Sequence, residues 1–420
     1  MLPSLVVAAS LLVGVAASSE GASCSAPSPT AFSHDSALLT LARHDPPPSD
    51  LAVPIRGRNN LVYSYWDELP RHIRAPSSAS FPLVADAGVS SPANATADDL
   101  DANSTTASPT IADYARAARL LLDDQLLSHG AVYLRGLPLD NALDFSAFIA
   151  ALGWNAVKLG GGGTQRSDVA AGVRSASDEP PEQTIEPHGD MAHSVQHPTH
   201  IAFFCLEGPP PGVGGETVLT NMRGVHSDLH ALGVPQTFAE RGGVAYHKRL
   251  WSDAETNHTT YTWQKFFFTE LMEDALAEVR KRDPDAVVHR HGPGVIDFQE
   301  VLPAVLAHPA TAEPLWFNGV HTNHRSYYVE AAHVDTSDGP PMDTTYADGT
   351  PIPESTIAAV RGAVWSNSVA VRLQKGDLVV VDNYLASHGR MGWVPPAPRR
   401  VLLTHFVNGP TAEPKPPAGA

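Results

Sequence analysis

Glu186-Pro187-His188-Gly189-Asp190 sets a histidine and an aspartate two positions apart. On an extended backbone such residues project to the same side, because side-chain direction in a strand repeats every second residue. His188 and Asp190 can therefore reach one metal ion. By itself the pattern carries little weight, since His and Asp fall two apart by chance in many chains. The rest of the sequence decides whether it is a site.

The chain has 420 residues, 43% of them hydrophobic, enough for a substantial core. Twenty-eight basic residues against 45 acidic ones give a formal charge of −17, which repels phosphate backbones and anionic membrane surfaces. Nucleic-acid binding is disfavoured on that ground. The 32 glycines and 37 prolines favour short elements joined by turns over long helices.

Leu2–Ala17 is an apolar run too short to span a bilayer comfortably, and it ends in the small residues Ala16-Ala17-Ser18-Ser19. Residues 1–18 read as a secretory signal peptide, which sends the protein to the endoplasmic reticulum lumen or out of the cell. The run has no Lys or Arg before it, so a signal anchor or a plastid-directed leader stays open. Sequons at Asn94, Asn103 and Asn257 fit a glycoprotein. No other run is long and apolar enough to span a membrane. Two cysteines, Cys24 and Cys205, exclude a disulfide framework, and Cys205 in the apolar run Ile201–Cys205 reads as a core residue.

Residues 19–110 read as a low-complexity leader, flexible from Ser19 to Asp50, with scattered aromatics from Leu51 to Leu83 and a disordered insertion from Ala85 to Ser108. Apolar residues then recur at helical spacing over Ile111–Leu127, with Asp113 near the start. A short strand over residues 130–136 and a helix over about 142–152 follow, and the glycine run Gly160–Gly163 interrupts regular structure. Strands are expected over residues 201–206, 216–221, 368–373, 377–382 and 402–407, with a helix over about 267–280 and a loop region after it. Residues 411–420 read as a flexible tail. The fold class is mostly β with flanking helices, the helices lying mainly on the N-terminal side of a double-sheet core.

A mononuclear non-haem Fe(II) site commonly takes two histidines and one carboxylate and leaves positions open for co-substrate and O₂. The best third ligand is His388, which follows the apolar strand Leu378–Val381. Twelve residues on, Arg400 opens the last strand, where a guanidinium can clamp a carboxylate through two parallel hydrogen bonds. The rival readings are specific. His193, His197 and His200 offer a zinc cluster with His188, but no cysteine accompanies them. Arg399 competes with Arg400, and Asn318, Trp263 and Arg166 are candidates for a substrate pocket that ordinary burial explains equally well.

Taken together, His188-Gly189-Asp190, Gly214-Gly215-Glu216-Thr217, Trp316-Phe317-Asn318, Gly376-Asp377-Leu378 with Asp382-Asn383, and His388-Gly389-Arg390 with Arg399-Arg400 resemble one family. It is the Fe(II)- and 2-oxoglutarate-dependent oxygenases of the taurine dioxygenase and clavaminate synthase group (TauD/TfdA), and the likeness runs from about Ile111 to Phe406. The resemblance implies a catalytic domain over residues 111–410 built on a double-stranded β-helix, or jelly roll. It implies His188, Asp190 and His388 as iron ligands, Thr217 touching 2-oxoglutarate, and Arg400 on its far carboxylate, with Arg399 the alternative. Arg400 is preferred because it immediately precedes the apolar pair Val401-Leu402. The implied reaction hydroxylates a C–H bond of a small-molecule or amino-acid-like substrate and releases succinate and CO₂. Desaturation or ring closure on the same scaffold is the alternative reaction, halogenation is disfavoured by Asp190, and a secreted cupin-like metal-binding protein is the alternative of another class.

Overall fold

The computed structural model describes residues 39–44, 52–53, 81–89, 109–157, 166–177, 179–210, 213–254, 261–291, 294–329, 336, 339–393 and 400–408. The expected signal peptide, the sequons, Cys24, Gly160–Gly163, Arg399 and the tail lie outside these residues.

Two sheets stacked face to face make the core. The larger has nine strands, ordered Leu39–His44, Leu83–Val89, Ala131–Arg135, Leu378–Asp382, His200–Glu207, Val401–Asn408, Val173–Ser175 and Asp168–Ala170, with Asn155–Ala156 also paired to Val401–Asn408. The smaller has five, ordered Ala52–Val53, Ser368–Val371, Thr217–Asn221, Ala386–Arg390 and Ile185–His188. From Ile185 onward the strands of this core pass back and forth between the two sheets, which is the winding of a double-stranded β-helix.

Strand alternation explains what fills the layers. Phe203 points between the sheets, where Tyr133, Ile201, Val379, Leu219 and Val371 meet it. Phe204, one residue on, points to the other side and packs with Leu121, Leu122, Phe145 and Phe148 from two helices. Its ring stacks on Phe145 at 5.3 Å. These helices are Ile111–His129 and Ala142–Leu152, both close to their sequence expectation. The first starts on a capping box in which Thr110 and Asp113 satisfy each other's backbone N–H.

Three expectations are corrected. The leader contributes strands: Leu39–His44 pairs antiparallel with Leu83–Val89, and Leu83–Val89 pairs parallel with Ala131–Arg135. Backbone groups extend a sheet edge without any side-chain pattern, so composition gave no sign of it. The helix expected over 267–280 is two helices, Trp263–Phe267 and Met272–Arg282, broken at Phe268, whose φ is 54°. Finally, helices do not gather at the N-terminal side. Between Asn221 and Ser368 lie Met222–Ala231, Val234–Glu240, Glu354–Ser366 and a four-stranded sheet of Val287–His291, Val295–Leu302, Val244–Trp251 and Met342–Tyr346, and the part of these after about residue 280 stands where a loop region was expected.

Cys205 is a free, buried thiol, pushed up to about 12 by its burial, and it packs in the inter-sheet layer as expected. Phe204→Ala, which empties the layer between sheet and helices, is expected to cost about 3–5 kcal/mol in urea unfolding. A loss below about 1 kcal/mol, within the scatter of surface changes, would show that the layer is not packed as described.

Candidate metal centre

His188 is the last residue of its strand, and His388 lies directly opposite it on Ala386–Arg390. The two strands approach so closely that a Cβ on Gly389 would sit 2.5 Å from the Ile185 carbonyl oxygen and 2.9 Å from Pro187 N. Glycine at 389 is what lets the two imidazoles face each other, their centroids 4.9 Å apart. Asp190 comes two residues later, but on a turn and not on the strand. Strand alternation thus orients His188 alone, and another device brings in Asp190.

That device is Asn383. Its Oδ1 accepts from Asp190 N at 2.9 Å, while its Nδ2 donates to the carbonyls of Asp190 (3.0 Å) and Pro198 (2.9 Å). The turn is stapled to the segment that leads into the His388 strand. One ligand atom each from His188, Asp190 and His388 then lies within 4.8 Å of the others, and no other such group occurs among the described residues. His388 Nε2 is 3.5 Å from Asp190 Oδ2.

The donor set suits a divalent metal of the iron type. His188 Nδ1 donates to the Glu186 carbonyl at 2.8 Å, which leaves the Nε2 lone pair for a metal. Burial, then the neighbouring His388, pushes His188 down to about 4, so the ring is neutral at pH 7 and can act as a ligand. For Asp190 burial opposes ionisation, but Arg166 and the two histidines outweigh it and hold the carboxyl below the usual carboxylate range. Arg166 Nη2 lies 2.9 and 3.1 Å from the two Asp190 oxygens.

Behind the ligands sits a buried ion pair that the sequence did not reveal. Glu186, which no motif assigned a role, meets Arg361 Nε at 3.0 and 3.2 Å. Arg361 also donates to the His321 carbonyl (2.9 Å), and His321 Nε2 donates to the Pro187 carbonyl (3.0 Å). The backbone on both sides of Pro187 is thereby fixed. Arg361 comes from the unanticipated helix Glu354–Ser366, far along the chain, so only a helical reading of that stretch could have raised it.

His188, His388 and Thr217 share a cavity with Arg166, Arg390 and Arg400. The two inner arginines are used differently. Arg390 donates to the carbonyls of Glu179, Pro180 and Gln183 at 2.6–3.2 Å and stays cationic although burial lowers it to about 10. Arg400 donates to Thr217 Oγ1 at 3.0 Å, has a buried Nε without a partner, and forms no ion pair with any described residue. Burial, reinforced by Arg390, lowers it to about 9, still a cation at pH 7. A buried cation with spare donors fits a carboxylate partner.

The remaining candidates are placed apart. Trp263 belongs to the apolar cluster of Trp251, Phe266 and Tyr328, and does not line the cavity. Asn318 spends its amide on Ala304 O (2.7 Å) and its carbonyl on Val320 N (3.0 Å), which fixes a turn. Arg166 alone of the three lines the cavity. The zinc alternative is not assembled: His197 bonds Tyr384 Oη at 2.7 Å and His200 packs on Trp154 at 4.9 Å.

Residues 97–405 match the taurine catabolism dioxygenase TauD, TfdA family. A clavaminate synthase-like protein of Arabidopsis thaliana is 28% identical over 289 residues, 67% of this chain and 83% of that protein. The dapdiamide synthesis protein DdaC of Enterobacter agglomerans is 25% identical over 308 residues, 71% of this chain and 88% of that protein. Among solved structures, PvcB of Pseudomonas aeruginosa overlaps 78% of this chain and 86% of its own, with a TM-score of 0.42 and 14% identity. A cavity of this make-up within a match of that length places the chain in the TauD/TfdA family. It is an oxidoreductase, an oxygenase that depends on Fe(II) and 2-oxoglutarate and consumes O₂.

Two variants test the supports. Asn383→Ala is expected to weaken Mn(II) binding roughly 10–100-fold in anaerobic titration, the usual effect of losing a residue that orients a ligand. Unchanged affinity would mean that Asp190 holds its place unaided. Arg361→Ala strands the buried Glu186 carboxylate and is expected to cost about 3–5 kcal/mol in denaturant unfolding. The double replacement Glu186→Leu with Arg361→Met should recover much of that loss.

Proposed function

We propose that the protein hydroxylates a C–H bond of a small-molecule or amino-acid-like substrate, with His188, Asp190 and His388 holding Fe(II). Arg400 and Thr217 receive the far carboxylate of 2-oxoglutarate. The observation that carries this reading is the meeting of the three candidate ligand atoms within 4.8 Å beside a part-buried arginine, Arg400, whose Nε has no partner. When bound, iron and 2-oxoglutarate supply an oxidation in which O₂ is divided between the substrate hydroxyl and succinate, with CO₂ released.

The chain's own groups set the stage for that chemistry. His188 stays neutral and keeps its tautomer through the Glu186 carbonyl. Asn383 and Arg166 hold Asp190 ionised and oriented, so the ligand geometry is fixed before co-substrate arrives. The Thr217 hydroxyl accepts from Arg400 and limits the directions in which the guanidinium can point. Phe203, whose ring lies 4.6 Å from that of His388, makes one wall apolar and keeps water from the reacting end.

Purified protein supplied with Fe(II), ascorbate and 2-oxoglutarate is expected to release succinate, and His388→Ala to abolish that release. Normal turnover by His388→Ala would remove the site assignment. Arg400→Gln is expected to raise KM for 2-oxoglutarate roughly tenfold or more, since it removes a charge-assisted carboxylate contact. Product mass separates hydroxylation, which adds an oxygen atom, from desaturation or ring closure, which removes two hydrogens. Residues 1–18 and the sequons support a route through the secretory pathway. A shift in mobility after N-glycosidase treatment of the expressed protein is the expected result, and an unshifted, uncleaved chain would refute it.

A further inference from the structure

Arg166 has more donors than Asp190 uses. Its Nη2 covers both Asp190 oxygens, while Nη1 is buried with no hydrogen-bond partner. The guanidinium lies 4.7 Å from the centroid of the Phe406 ring, so it is held flat by packing and cannot swing freely towards another partner. A buried cationic donor left unsatisfied is costly, and such positions call for a ligand group.

The charge of the cavity points the same way. Three arginines, Arg166, Arg390 and Arg400, line the cavity and no carboxylate does, Asp190 lying outside the lining and pairing with Arg166. A divalent iron and a dianionic 2-oxoglutarate cancel each other, so the positive lining of the cavity persists in the loaded site. Glu179 and Glu182 near Arg390, and Glu216 near Arg400, partly balance those two cations from outside the lining. Arg390 gives its two Nη groups to three carbonyls and Arg400 gives Nη2 to Thr217, and each keeps a buried Nε without a partner. Among the three, Arg166 alone has a buried terminal Nη without a partner.

We propose that the substrate is a carboxylate-bearing small molecule and that Arg166 receives its carboxylate through Nη1 while Nη2 holds Asp190. This rests on the iron and 2-oxoglutarate reading above and narrows it to one substrate class. One planar group then links substrate and metal ligand, which fixes the substrate relative to the ligand set. Lysine cannot reproduce this, since it offers a point charge and not a fork.

The test uses the full chain, anaerobically loaded with Fe(II) and saturating 2-oxoglutarate. The visible charge-transfer band of keto-acid chelation is read first, because its absence fails the underlying reading and not the present one. With the band present, the probes are the proteinogenic amino acids and short mono- and dicarboxylic acids, each paired with its carboxamide. At least one acid is expected to bind with the band retained, roughly 10–100-fold more tightly than its amide, the usual worth of a charge-assisted contact. Arg166→Gln is expected to erase that preference and Arg166→Lys to restore it only in part, with Mn(II) affinity measured alongside to expose any damage to the metal site. Acids that bind only by bleaching the band compete at Arg400, and that result overturns the proposal. So does equal binding of every acid and amide pair by the wild-type protein, whatever the variants do.

Discussion

The strand Ala386–Arg390 is hydrogen-bonded on both sides, to Thr217–Asn221 and to Ile185–His188, and its register sets the whole pocket. Thr217 stands opposite Arg390, Leu219 opposite His388, and His388 opposite His188. Because side chains alternate with a period of two, a slip of one residue would turn His388 away from the cavity and bring Gly389 or Ser387 into its place. The irregularity between His388 and Arg390 allows the strand to pass the narrow gap at Gly389 and still pair with Ile185. His188, His388 and Thr217 are therefore all set by one central strand.

That strand is delivered by a buried corner. Asp382 Oδ1 accepts from the backbone N–H groups of Tyr384 and Leu385 at 2.9 and 3.1 Å. His308 Nδ1 accepts from Ala310 and Thr311 N–H, which puts its proton on Nε2, 3.0 Å from Asp382 Oδ2. Asn383, next in sequence, holds Asp190. Two adjacent residues thus shape the approach to one ligand and clamp the backbone of another, and a polar corner inside an apolar core is stable because each of these groups has its partners.

The sequence made the metal ligands and the main core strands readable because each carries a local signal: His-x-Asp, an apolar run, a glycine pair before Thr217. Helix Ala142–Leu152 stands where a helix was expected, and the structure shows Asn141 capping it. The four-stranded sheet was not legible. Val295–Leu302 does alternate, but one of its inward positions is Glu300, paired with Lys248 on the neighbouring strand in the dry interior. Two charges facing inward look like surface in one dimension, and only the pairing across strands makes them a core. Arg361 and Glu186 were hidden by the same logic, since a buried pair separated by that much chain leaves no mark near either residue.

The candidate ligands also lie far apart along the chain, with His188 and Asp190 before the four-stranded sheet and His388 after it. During synthesis the N-terminal parts emerge first, and the centre stays incomplete until the strand Ala386–Arg390 has left the ribosome and threaded between two strands made long before. A nascent chain carries only two of the three candidate donors, His188 and Asp190, which bind divalent ions far less selectively than three donors fixed on one face. Which metal the protein carries is consequently decided after folding, by the finished cavity and the metals present where folding ends.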